Sequence, residues 1–302
     1  MKTKTLIWLF ALLLITIGVY VAYNKTHEKS LNNPVAELPE ASLHKSDTTR
    51  IEITLDATHI TVSHTDDHWL VNDYPVDTAV LSRFWTALQG SVVKDIVSQN
   101  PENQATFSVD DAHAVLITFF NGDIKTGEML VGKSSGRGTS YIRVPNTDTV
   151  LEVRSDIASA VPLTVNGWRD KTILALKDAK VERIELMNDK VKIALEKQDT
   201  NTWILADKKN ASINQAHITS FLTAVETLHA DGFREASSTE IVDPTYYIKL
   251  FGADNTLLAA LSLTTRKDGS AFVQHSGDDT VFTIPSYTAD QLMQKRSYFI
   301  TE

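Results

Sequence analysis

The sequence predicts an α+β protein: an N-terminal transmembrane helix followed by two tandem homologous units, each a mainly antiparallel β-sheet with one covering helix. Three observations lead there. Residues 6–23 carry no charge. A stretch over 50–174 is answered, in the same order, by a second over 181–302. Within both, short alternating segments are joined by turn residues and interrupted by one helical stripe.

The first run reads LIWLFALLLITIGVYVAY. At ~1.5 Å per residue it reaches about 27 Å, close to a ~30 Å hydrocarbon core. Lys2 and Lys4 precede it, and no acid stands before Glu28. The positive-inside rule then makes 1–5 a cytoplasmic tail and 6–23 the anchor. The bulk of the chain falls on the periplasmic or extracytoplasmic side of a bacterial inner membrane. Trp8, Tyr20 and Tyr23 suit the two interfaces. A cleaved signal peptide is the alternative, but Val19-Tyr20-Val21-Ala22-Tyr23 is a poor cleavage site. Residues 24–49 are polar, contain Pro34 and Pro39 and lack periodicity, so they read as a tether with a reach of ~25–30 Å.

Each unit then follows one plan. Strands over 50–55 and 59–64 open the first, and strands over 181–187 and 191–196 open the second. Ile51, Ile53 and Leu55 alternate with Glu52 and Thr54, the period of a half-buried strand. A third strand carries Trp69 or Trp203. Asp77 and Asn214 are suited to cap helices over 78–88 and 214–228. Leu81, Phe84, Trp85 and Leu88 form one apolar stripe; Ile218, Phe221, Leu222 and Val225 form the other. Four strands follow in each unit, the first pair flanking Asn121-Gly122, a strong hairpin signal. Short helices near 156–161 and 288–295 close the plan.

With 302 residues, 42% of them hydrophobic, the chain can bury two substantial cores. It contains no cysteine, which excludes disulfides, thiolate metal sites and cysteine nucleophiles. The net charge of −9 argues against nucleic acid as a partner.

Several motifs resemble chemistry. Gly127, Gly132, Lys133 and Ser134 satisfy the phosphate-loop pattern G-x-x-x-x-G-K-S. Met129-Leu130-Val131 reads as strand, however, and Ser135-Gly136-Arg137-Gly138 does not start a helix. No nucleotide site is expected. Gly132, Ser134 and Gly136 also satisfy G-x-S-x-G, but a nucleophile elbow needs a helix after the turn. A glycine-bearing loop between strands is the expectation. His59, His64 and His68, with Asp66 and Asp67, form the densest group of metal-ligating side chains. His59 and His64 are separated by an odd number in a strand, so they face opposite sides. His113 beside Asp110 and Asp111 aligns with Tyr246 and reads as structural. Trp69 and Trp203 tempt a sugar-stacking reading, yet both copies carry them, so both are expected in the core. No catalytic, cofactor or metal residues are assigned.

The shared residues resemble a known family. The pattern is R-I-E-I, a tryptophan strand, a capped helix and a V-D strand entry. A G-x-x-x-x-x-G-x-x-Y-x-R segment follows, here Gly132, Gly138, Tyr141 and Arg143, and then Arg169-Asp170-Lys171-Thr172-Ile173-Leu174. It is similar to the bacterial domain-of-unknown-function family 4340. The second copy departs from the pattern, with Phe272 and Gln274 for Tyr141 and Arg143, and Lys295-Arg296-Ser297 for the closing Arg-Asp-Lys. The resemblance implies membrane-anchored exported proteins with repeated domains, some encoded beside ABC-transporter parts of the gliding-motility auxiliary type. It carries over no catalytic residue. The expected function is therefore a non-catalytic, extracytoplasmic accessory or interaction protein. Its partners would be membrane or envelope proteins, ABC transporter components among them. The alternative is an envelope hydrolase or glycan-binding protein with a site between the repeats.

Overall fold

The structure is a computed structural model that describes residues 43–65, 68–136, 138–176, 180–188, 191–199, 202–234 and 243–301. The expected anchor at 6–23, and the tether as far as 42, lie outside the described residues. No helix among the described residues is long and apolar enough to cross a membrane. The chain divides into two compact units, one ending at Arg169 and one beginning at Asp170.

The first unit is built on nine strands: β1 (Arg50–Leu55), β2 (Thr58–Thr65), β3 (His68–Val71), β4 (Tyr74–Pro75), β5 (Val92–Ser98), β6 (Val115–Asn121), β7 (Ile124–Ser134), β8 (Ser140–Arg143) and β9 (Val150–Arg154). They form one antiparallel sheet in the order β4-β3-β2-β1-β6-β7-β8-β9-β5. Alternate residues point to opposite faces, and one face carries Ile51, Ile53, Ile117, Phe119, Met129 and Val131, all buried. Helix α1 (Thr78–Gln89) covers that face with Leu81, Phe84, Trp85 and Leu88. Asp77 caps it, accepting hydrogen bonds from the Ala79 and Val80 amides at 2.7 and 3.2 Å. Three one-turn helices complete the unit: α2 (Gln104–Phe107), α3 (Ile157–Ala160) and α4 (Val165–Trp168). The sheet begins before β1: Thr48 is buried, and the Thr49 amide donates to Phe120 O at 2.8 Å.

The second unit contains β10 (Thr172–Ala175), β11 (Arg183–Asn188), β12 (Val191–Lys197), β13 (Trp203–Leu205), β14 (Thr227–His229), β15 (Gly232–Phe233), β16 (Tyr246–Phe251), β17 (Leu257–Thr265), β18 (Ala271–His275) and β19 (Val281–Ile284). Eight of these form a sheet in the order β13-β12-β11-β16-β17-β18-β19-β15, while β10 pairs with β14 alone. Helix α5 (Gln215–Glu226) buries Ile218, Phe221 and Val225, and α6 (Ser286–Leu292) follows the sheet. Asn214 caps α5 through the His217 amide at 3.2 Å.

The two sheets run in the same strand order apart from β4. Their registers also agree. Ile51 pairs with Val62 and Phe119, as Ile184 pairs with Leu195 and Leu250. Ile142 pairs with Leu151, as Val273 pairs with Phe282.

Each helix start is fastened in the same way. The Asp77 amide donates to Trp168 O at 2.8 Å, and the Asn214 amide donates to Phe299 O at 3.0 Å. Both acceptor residues are fully buried aromatics. Trp168 meets Phe84 edge-on at 5.6 Å, and Phe299 meets Phe221 edge-on at 5.8 Å. Isolated bridges beside them join Val76 to Arg169 and Ile213 to Ile300. These bridges align Arg169 with Ile300, which corrects the matching of Arg169 to the Lys295-Arg296-Ser297 ending.

Other expectations shift as well. The boundary falls at Arg169, so Thr172–Ala175, expected at the end of the first unit, belongs with the second. Strand β5 was not legible, because bulges after Val93 and Ile96 break its period. Trp69 and Trp203 do occupy one register position, each two residues before the buried Val71 or Leu205. Only Trp203 is buried; Trp69 is half-buried, with His64 at 5.2 Å and the Lys45 amine at 6.0 Å from its ring. The difference has a local cause. Gln215, in the first turn of α5, brackets the Trp203 peptide with bonds of 2.8 and 2.9 Å. Thr78 stands at that helix position in the first unit and is too short to reach across.

Within the first unit, the fully buried Trp168 carries more stability than the half-buried Trp69. Trp168→Ala should cost ~3–5 kcal/mol, and Trp69→Ala on the order of 1 kcal/mol. Urea unfolding of the full chain, followed by circular dichroism, measures both. Equal losses would contradict the different burial of the two indoles.

Candidate functional site

The phosphate-like motif is structural. Gly132 lies inside β7 and not in a loop. A Cβ there would stand 2.3 Å from the Phe107 carbonyl oxygen and 2.6 Å from Val109 Cγ1. Glycine is required because the segment after α2 packs directly onto the strand. Lys133 is exposed. The Ser134 hydroxyl is held by the hairpin loop, donating to Thr139 O and accepting from the Gly136 amide, both at 3.1 Å. Gly136 and Gly138 adopt φ of +88° and +74°, which close the loop. Arg137 lies outside the described residues. The second unit closes its β17–β18 loop similarly, with Gly269 at φ +84° and the Arg266 amide on Ser270 O.

The histidines separate. His59 Nδ1 lies 3.2 Å from Thr54 Oγ1, while His64, on the other face of β2, meets Trp69 at a tilt of 44°. Asp66 and Asp67 lie outside the described residues. Among the described residues no three His, Asp or Glu side chains are grouped to hold a metal ion. His113 Nδ1 lies 2.7 Å from Asp110 Oδ2. Register places Val115, not His113, opposite the position of Tyr246, which corrects that alignment.

Arg143, from the family-like Y-x-R segment, is buried. Its Nε donates to Val109 O at 2.7 Å and its Nη1 to Thr147 O at 3.1 Å, while Nη2 meets the Asp111 carboxylate. Gln274 takes its register position in the second unit and donates to Asp278 O at 2.9 Å. Lys94 chiefly, helped by Ser135, holds the Glu152 carboxyl below the usual range against partial desolvation. That group fastens β5 to β9, Lys94 Nζ lying 2.9 Å from Glu152 Oε2.

The outer faces of the two sheets differ. In the first unit, residues 104–111 dock on β7 and β8 through the Gly132 and Arg143 contacts, and Leu130 is buried there. In the second unit a cleft of about 540 Å³ opens across β11, β16 and β17. Ala260, Ser262 and Ser276 are among its small residues, and Met187, Tyr247 and Lys249 are among its larger ones. Register matches these positions to bulkier or uncharged residues: Glu128 for Ala260, Leu130 for Ser262, Leu116 for Tyr247 and Thr118 for Lys249. Glu185, at the edge of the cleft, contacts the Arg183 guanidinium and Lys192 Nζ, the latter at 3.4 Å. Sequence reasoning missed this group. The differences between the two units hold the signal, but only the strand register says which residues to compare.

Two neighbouring substitutions separate the structural reading of 127–134 from the phosphate-loop one. Gly132→Ala should destabilise the protein by about 1–3 kcal/mol, because its new methyl group meets backbone. Lys133→Ala should change stability by less than ~0.5 kcal/mol and leave partner binding intact. Thermal unfolding and a nucleotide-binding titration of both variants check this. ATP binding that disappears in Lys133→Ala would restore the discarded site.

A family model described as Domain of unknown function (DUF4340) matches residues 69–249, from β3 of the first unit to β16 of the second. No curated protein and no solved structure matches the chain. The match spans more than half of the sequence, and the protein belongs to the DUF4340 family.

Proposed function

We propose that the chain is a single-pass membrane protein whose β-units lie outside the cytoplasm and act as a non-catalytic interaction module. The observation that carries this reading is the uncharged run at 6–23 behind Lys2 and Lys4. Its length suits a bilayer, and the preceding lysines favour a cytoplasmic N-terminus. The two units are, in this reading, tandem copies of one fold. The common strand order, the common register and the two aromatic clasps support that duplication.

The interaction role is supported by what the motif residues do. Gly132, Ser134 and Arg143 are engaged in packing and loop closure. The partner is an envelope or membrane protein complex of the ABC-transporter type; that part rests on the family resemblance.

Two experiments test the proposal. Protease added to intact spheroplasts should digest the chain from about residue 24 onward. Protection of the second unit would overturn the topology. Crosslinking in native membranes, followed by affinity capture of the full chain and mass spectrometry, should recover transporter components. Recovery of cytosolic proteins alone would overturn the partner assignment.

A further inference from the structure

The cleft on the outer face of the second sheet has properties that its counterpart in the first unit lacks. Its floor is low because Ala260 and Ser262 stand where the first unit places Glu128 and Leu130. Its volume of about 540 Å³ falls within the ~300–1,000 Å³ usual for small-ligand sites.

Its charge is unbalanced. Glu185 already contacts Arg183 and Lys192. Lys249 is exposed, adjoins Glu185 across the β11–β16 pairing, and forms no ion pair among the described residues. Arg183 also lies 4.0 Å from Glu196, so three cations here face two carboxylates and one positive charge is in excess. An anion entering the cleft would meet Lys249 in a region short of negative charge, although the protein as a whole carries −9.

The neutral groups narrow the choice further. Tyr247 offers a half-exposed ring and a hydroxyl, and Ser262 and Ser276 offer two more hydroxyls. None of the three hydroxyls has a side-chain partner among the described residues. Tyrosine beside hydroxyl groups suits a ring that is apolar on its face and polar around its rim. An extended peptide fits less well, because peptides dock on sheets by pairing with a free edge. Here β11, β16 and β17 are internal strands, with both edges already paired.

We propose that this cleft binds a carboxylated saccharide, with the acid on Lys249 and a sugar ring against Tyr247. The proposal does not depend on where the protein resides or on its transporter partner.

The test uses the full chain in detergent, with hyaluronan tetrasaccharide as the carboxylated probe and chitotetraose as its neutral counterpart. Saturation-transfer NMR and calorimetry at millimolar sugar should detect the first and not the second. Lys249→Thr installs the residue found at the same register position in the first unit, so the sheet should tolerate it. It should weaken hyaluronan binding by at least about tenfold, with an unchanged melting temperature. Ser262→Leu, which fills the floor as Leu130 does, should abolish binding. If that variant misfolds, Lys249→Thr still decides. The proposal fails if hyaluronan does not bind, if chitotetraose binds equally well, or if Lys249→Thr leaves the affinity unchanged. Tighter binding of tetraglutamate than of hyaluronan would also overturn it, in favour of an acidic peptide.

Discussion

Each unit depends on one requirement: a single amphipathic helix must stay pressed against one apolar face of a twisted sheet. Residues from the sheet and from the helix share one core, so the helix cannot drift without exposing the sheet. A helix of 12 residues has little stability of its own in water. Its N-terminus also presents amide groups with no partner inside the helix. Side chains of Asp77 and Asn214 satisfy some of these. The backbone amides of the same two residues reach further, to the carbonyls of Trp168 and Phe299. A local cap is thereby joined to the far end of the unit, and a buried ring is set against the helix's own phenylalanine.

Much of this was legible in the sequence because it is local. The caps at Asp77 and Asn214, the stripe through Phe84 and Phe221, and the Asn121-Gly122 turn each announce themselves within a few residues. Gly122 indeed takes φ +58° at the hairpin. The unread parts are non-local. Strand β5 lost its period to two bulges, and an edge strand with bulges and a pinned lysine is protected from pairing with other chains. Strand β10 is fixed by β14, more than fifty residues away, so its own sequence gave no sign of its allegiance. The closing aromatic pair escaped because Trp168 and Phe299 share burial and position but not a motif.

The outer faces show how one sheet plan supports different surfaces. A sheet needs only one apolar face to fold, which leaves the other free to vary. In the first unit a chain segment settles on part of that face, and Leu130 and Arg143 become buried. In the second unit, Ser262 and Gln274 occupy those two positions. The residues that differ most between the units are therefore outward-facing ones, where fold imposes least.

Arg143 shows why a charged residue in a shared motif need not be a reactive one. Burying a guanidinium is costly unless its donors are satisfied. Here two carbonyls and the Asp111 carboxylate receive them. One of those bonds, to Thr147 four residues on, has a neutral equivalent in Gln274 to Asp278. That bond answers a need common to both units, the turn after the strand, and an amide suffices for it. The other two reach Val109 and Asp111, in the segment that also passes over Gly132 at a distance no side chain would permit. Glycine at 132 and arginine at 143 thus serve one docking event, the first by making room and the second by holding what enters. Thr264 and Gln274 stand in their places in the second unit. The two differences are coupled through that segment: the small residue has no purpose without a chain to admit, and the long one would lose two of its three acceptors without it.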